Sequence, residues 1–184
     1  MAGSLHPRSA GNGCIMRLAP IPMFFHRDHE VAVRHSAESS RTTHGTAECL
    51  DACRLFGSMI WKALSGLSKE EILLDHHGLD GLSPGIGSIA LGDYRDKDES
   101  EIRGSGYLVA SLEAALWCFW HTADFRTAVL QAANLGDDAD TTAAVCGQIA
   151  GAYYGDEGIP AEWLDKLAMR EEIAALAERL LVGA

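Results

Sequence analysis

Between Asn134 and Thr142 the chain reads NLGDDADTT, three carboxylates and three hydroxyl or amide side chains around one glycine, directly ahead of a run of small and apolar residues. Asp138, Asp140 and Thr141 offer hard oxygen donors with no thiolate or imidazole among them, a set that suits Mg²⁺, Mn²⁺ or Ca²⁺ better than Zn²⁺ or Cu²⁺. The same residue types also suit a helix start, where Asp and Asn accept bonds from free N–H groups and oppose the helix dipole. On local grounds alone capping is the simpler account.

The composition limits what such a loop can serve. At 184 residues the chain has the size of one domain, residues 1–184, and can bury a core without disulfides. A net charge of −11 and a pI of about 5.0 argue against nucleic acid or an anionic membrane surface as partner, since both reward a basic face. Cys14, Cys49, Cys53, Cys118 and Cys146 are odd in number and contain no CxxC pair, so they read as reduced, buried small hydrophobes. Apolar stretches are broken by Glu113, His121 or Gln148 well short of a membrane span. The start lacks an apolar signal core, which makes the cytoplasm the expected location.

Helices must position the acidic loop, because apolar residues recur at three- and four-residue steps and no strand ladder stands out. The first part, rich in proline and glycine through Pro22, predicts loop with a short helix around Ile15 to Leu18. Asp28 can cap a helix to about Ser40, and Thr43 or Thr46 one through Leu64, with Cys49, Cys53, Phe56, Ile60 and Leu64 along its apolar stripe. Ser68 and Glu71 form a capping-box pattern opening a short helix that Gly78 would end. From His76 to Gly106, seven glycines, Pro84 and a charge cluster predict a long irregular stretch. Further helices are predicted over Tyr107–Trp120, Asp124–Ala133 and Thr141–Tyr153, with Ala143, Gly147 and Gly151 as a face open to close helix approach. Pro160 suits a first turn, and Ile173, Leu176, Ala177 and Leu180 mark a last amphipathic helix. His26 and His29, and His76 and His77, lack the partners of a zinc site and read as surface residues. The fold class is all-α.

Four separated blocks, SAGNGCIMRLAPIP (Ser9 to Pro22), TTHGTAE (Thr42 to Glu48), GSGYLVASLEAALW (Gly104 to Trp117) and NLGDDADTTAAVCGQIAGAYYG (Asn134 to Gly155), resemble the ADP-ribosylglycohydrolase family in its own order. The resemblance implies a single compact helical domain with two Mg²⁺ or Mn²⁺ ions at the bottom of a cleft. It also implies hydrolysis of the glycosidic bond joining ADP-ribose to a protein side chain or small molecule. Carried onto this chain, the family pattern makes Asp138, Asp140 and Thr141 metal ligands. It sets Asn12 and Gly13 along the cleft with Arg17 nearby, and His44 and the turn Gly104, Ser105, Gly106, Tyr107 beside the ADP-ribose. The residue types make chemical sense of this. A metal ion can orient ribose hydroxyls and acidify a water, the transition state should be oxocarbenium-like, and glycine amides can approach a diphosphate closely. Locally, the glycines read equally as an ordinary turn and Tyr107 as a core aromatic.

The family's first acidic motif, Thr-Asp-Asp-Thr, has no counterpart in these 184 residues, and the resemblance places there the remaining metal ligands and the catalytic acidic residue. The expectation is therefore an N-terminally truncated form of the family fold with no assigned catalytic residue and weak or incomplete metal binding. A start placed too far downstream, a fragment, a degenerate member and a half completed by a partner all fit that pattern. Apolar faces left open would call for an oligomer or partner. A non-catalytic ADP-ribose or nucleotide binder and a helical association module are the alternatives.

Overall fold

A computed structural model describes residues 3–182, which form helices joined by turns, with two isolated bridges, Ser4 with His44 and Gly11 with Tyr107, as the strand-like pairings. The helices are α1 (Gly13–Met16), α2 (Pro20–Phe24), α3 (His29–Arg41), α4 (Ala47–Leu64), α5 (Lys69–Leu74), α6 (Pro84–Leu91), α7 (Leu108–His121), α8 (Phe125–Asn134), α9 (Ala139–Tyr154), α10 (Ala161–Leu164) and α11 (Arg170–Val182). The all-α expectation is met.

The long helices start where side chains can satisfy their free N–H groups. Asp28 accepts from the Val31 N–H, Thr46 from Cys49 and Asp124 from Thr127, and Ser68 with Glu71 closes a full capping box. Each such cap contributes about 1 kcal/mol. The helix α4 is central: Leu55, Phe56, Met59 and Ile60 are buried on it, and it packs against α3, α7 and α9. Its Gly57 lets α3 come close, for a Cβ there would collide with the Ser36 side chain. On α9, Gly147 and Gly151 face Val129 and the Phe125 ring of α8, but a Cβ at either would stand 3.8 or 3.7 Å away, an ordinary contact, so the close approach expected there does not require glycine. All five cysteines are buried and free.

The segment from 76 to 106 is not irregular throughout. Pro84 opens α6 from its first turn, Gly92 ends it in the left-handed conformation (φ 77°), and short 3-10 turns follow at Asp93–Asp96 and Glu99–Glu101. Ile86, Ile89, Tyr94 and Ile102 are buried, and the segment is tied to α7 by Lys97 to Glu113 (2.6 Å) and by the Trp117 indole N–H to the Lys97 carbonyl (2.9 Å). Glycine and charge hid an element too short to show a period, and tertiary burial decided it.

Other departures are smaller. The early helix lies at Gly13–Met16 rather than Ile15–Leu18, and α2 follows with Pro20 in its first turn, where proline's missing N–H costs nothing. The fifth helix stops at Leu74, before Gly78, and Pro160 stands at the N-cap of α10 rather than inside it. His77 is exposed as expected, but His26, His29 and His76 are half-buried. His29 Nε2 shares a hydrogen bond with Ser58 Oγ at 2.8 Å, and His76 Nε2 bonds the Leu73 carbonyl. No described helix is long and apolar enough to cross a membrane.

Candidate functional site

Three distant segments meet at the N-terminus of α9. The Asn12 N–H donates to the Gly106 carbonyl (3.3 Å), Leu108 N–H to Ala10 (3.0 Å) and Asp138 N–H to Gly104 (2.9 Å). The 10–12 and 104–107 stretches are thereby laced together and to the acidic loop. At Gly104 the backbone approach requires glycine, since a Cβ would lie 2.7 Å from Thr142 Oγ1.

Asn12 is the junction. It is 8% exposed, and its Nδ2 donates to Asp138 Oδ2 (2.7 Å) and the Ser105 carbonyl (3.2 Å), with Ser111 Oγ farther off at 3.4 Å. The other carboxylate oxygen, Asp138 Oδ1, accepts from Thr141 Oγ1 at 3.0 Å. The simple capping account therefore fails for Asp138: it occupies the N-cap of α9, yet its side chain bonds no backbone N–H of that helix. Its carboxylate is held by side chains instead, in a fixed orientation. Asp137 before it adopts φ 53°, a left-handed conformation that Asp tolerates better than most residues. Asp140 sits in the first turn of the helix, exposed, at the border of the hollow that Phe125, Val129 and Ala143 line between α8 and α9.

His44 packs against the glycines of the first block. A Cβ on Gly13 would come within 3.1 Å of its Cε1 and one on Gly11 within 3.4 Å of its Nε2, while Nδ1 bonds Thr43 Oγ1 (2.8 Å). Burial, helped by the Arg17 charge, lowers the pKa of His44 below the usual histidine value, so the ring is neutral at pH 7. Arg17 itself holds the end of α3, donating to Ser39, Thr42 and Thr43.

Tyr107 is not a core aromatic. It is 46% exposed, and its hydroxyl donates to Glu48 Oε1 (2.8 Å). Partial burial, reinforced by that hydrogen bond, pushes its pKa up to about 12, keeping the phenol a proton donor at neutral pH. The two side chains border a hollow of ≈ 650 Å³ that also meets Leu5, Arg8 and Thr46.

The structure thus brings Asn12, Gly13, His44, the 104–107 turn, Asp138 and Thr141 into one region, whereas Asp140, expected to join them, borders the separate hollow between α8 and α9. Asp138 and Thr141 have the oxygen chemistry of a hard-cation site, but among the described residues no three His, Cys, Asp or Glu side chains gather closely enough to hold a metal. Two positioning residues escaped the sequence reading. Glu48 lies in the second block, and Gln148, a polar residue in an otherwise small and apolar helix, holds α1 by accepting from the Ala19 N–H and donating to the Ile15 and Met16 carbonyls.

The chain is similar to known proteins along nearly its whole length. The ADP-ribosylglycohydrolase family model matches residues 2–184. The chain is 42% identical over 178 residues to an ADP-ribosylarginine hydrolase Tri1 of Pseudomonas putida (strain GB-1), covering 97% of this chain and 47% of that protein. It is 29% identical to the ADP-ribosyl-[dinitrogen reductase] glycohydrolase of Rhodospirillum rubrum, covering 89% of this chain and 52% of that one. A solved structure described as an ADP-ribosylglycohydrolase-related protein complex superposes with a TM-score of 0.88 at 40% identity, over 97% of this chain and 62% of its own. The chain thus spans about half the length of the curated relatives it matches. From the profile match, the shared identity and the common helical framework, the chain belongs to the ADP-ribosylglycohydrolase family.

Proposed function

We propose that the chain forms one wall of an ADP-ribosyl hydrolase active site, acting on an N-glycosidic bond between ADP-ribose and arginine. The observation that carries this reading is the Asn12, Asp138 and Thr141 junction, which fixes a carboxylate beside a glycine turn and a neutral histidine. The arginine linkage is favoured by the 42% identical relative, which bears the name of an ADP-ribosylarginine hydrolase.

In this reading the 104–107 turn approaches the diphosphate, because its carbonyls are taken by Asp138 and Asn12 and glycine leaves its amides unobstructed. Tyr107 flanks the ribose or base, and neutral His44 orients a hydroxyl. Asp138, Asp140 and Thr141 would hold Mg²⁺ or Mn²⁺, their oxygens fitting a hard cation in kind while supplying only part of its shell. When bound, the ion supplies Lewis acidity toward ribose hydroxyls and water. The proton-transferring carboxylate belongs to no residue assigned in this chain.

A second reading is that ADP-ribose is bound without turnover, which the Asn12–Asp138 junction and the 104–107 turn would serve equally well. Calorimetry with ADP-ribose and Mg²⁺, together with release of ADP-ribose from modified arginine, separates the two. Binding with release supports the hydrolase, binding alone supports the binder, and loss of binding in Asp138→Asn ties either to this site. An absence of both binding and release overturns both.

A further inference from the structure

The last helix carries a surface that the site does not use. None of the thirteen residues of α11 is buried, and a helix of that length is marginal in water without a packed face. It leans on α2 and half-buries Ala177 and Leu180, yet Met169, Ile173 and Leu176 remain 68%, 48% and 54% exposed. With Leu180 these residues step by four, three and four, one stripe along the helix. Leu164 and Leu167 extend the apolar surface toward the hollow between α8 and α9.

We propose that this stripe is a self-association surface, on which α11 of a second copy packs antiparallel across a two-fold axis. The charges beside the stripe select that occupant. Glu172 and Arg179 lie on one edge, seven residues apart and opposite in sign. When Ile173 faces Leu176 of the second copy, Met169 faces Leu180 and Glu172 faces Arg179, each contact made twice by symmetry. A parallel pairing in register offers Glu172 only Ala177. The antiparallel arrangement also sets the helix dipoles head to tail. Arg170 pairs with Asp165 of its own chain at 3.6 Å and is not needed. One short helix per copy makes a small interface, so the association belongs in the micromolar range.

Sedimentation velocity of the full chain across that range tests the proposal. The expected result is a concentration-dependent shift from monomer to dimer, abolished by Leu176→Glu. Glu172→Arg and Arg179→Glu should each weaken association about tenfold, a loss that places like charges across the axis, and the double exchange should restore it. Restoration is the diagnostic outcome, since exchanging these charges opposes the helix dipole and cannot improve α11 by itself; circular dichroism reports whether each variant keeps its helix. A monomer at every concentration overturns the proposal, as does a dimer indifferent to Leu176→Glu or an exchange that fails to restore pairing while α11 stays helical.

Discussion

Truncating Asn12 to alanine probes the bond that joins the first and last blocks of the site. Its contact with Asp138 is short, 2.7 Å, and the acceptor is charged, so it contributes about 1.5–3 kcal/mol. The bond to the Ser105 carbonyl at 3.2 Å adds about 1 kcal/mol, and the 3.4 Å approach to Ser111 is long enough to count as nothing. Asp138 is only half-buried, and water recovers part of its loss, leaving about 2–3 kcal/mol for Asn12→Ala. Urea unfolding should show a lower midpoint with an unchanged slope, the signature of lost stability without a change in compactness. Asp138→Ala removes the same bond together with the one from Thr141, and the double variant should fall short of additivity by about 1–2 kcal/mol. A coupling below about 0.5 kcal/mol, within the error of independent sites, would refute the view that this amide orients the carboxylate.

Gly104→Ala should destabilise by about 1–3 kcal/mol through overpacking against Thr142 Oγ1, 2.7 Å from the new Cβ; thermal melting reads the loss, and Thr142→Ala in the same chain should relieve much of it. The lowered pKa of His44 makes folding disfavour its protonation. The contribution is present above the unfolded value near 6.5 and is lost as pH falls through the folded one. His29 and His76, also lowered chiefly by burial, act in the same direction, so stability should decline from pH 7 toward pH 5 and His44→Gln should flatten the slope, as urea melts at each pH would show. Burial pushes Cys118 up to about 12 and raises Cys146 further. A thiol reagent at pH 8 should therefore leave both nearly unmodified in the native protein and titrate all five cysteines once urea unfolds it.

What the sequence made legible was local or repeated. The caps at Asp28, Thr46, Ser68 and Asp124 announce helices because the capping chemistry lies within four residues of its partner, and the apolar steps of α4 extend over five turns. The helix α6 was illegible because Pro84, Gly85 and Gly87 carry loop statistics, and only the burial of Ile86 and Ile89 against the rest of the fold overrules them. The same limit applies to Tyr94 and Ile102, whose surroundings come from elsewhere in the chain.

The site depended on a different kind of signal. Asn12 and Asp138 are 126 residues apart, and no period or cap connects them. Read locally, Asn12 is a turn residue between two glycines and Asp138 a helix cap, and both accounts are chemically sound. The four blocks in family order supplied the association, and the structure supplied its physical basis: the bridge between Gly11 and Tyr107 brings the first block to the third, and the Gly104 carbonyl fixes the fourth. That sequence of contacts explains why the N-cap carboxylate of α9 forgoes the backbone N–H groups of its helix. Its two oxygens are already committed to Asn12 and Thr141, an arrangement that stabilises one orientation of the charge at the expense of about 1 kcal/mol of capping. A residue kept from the bond its position favours is the local inconsistency expected where a fold yields stability to a site.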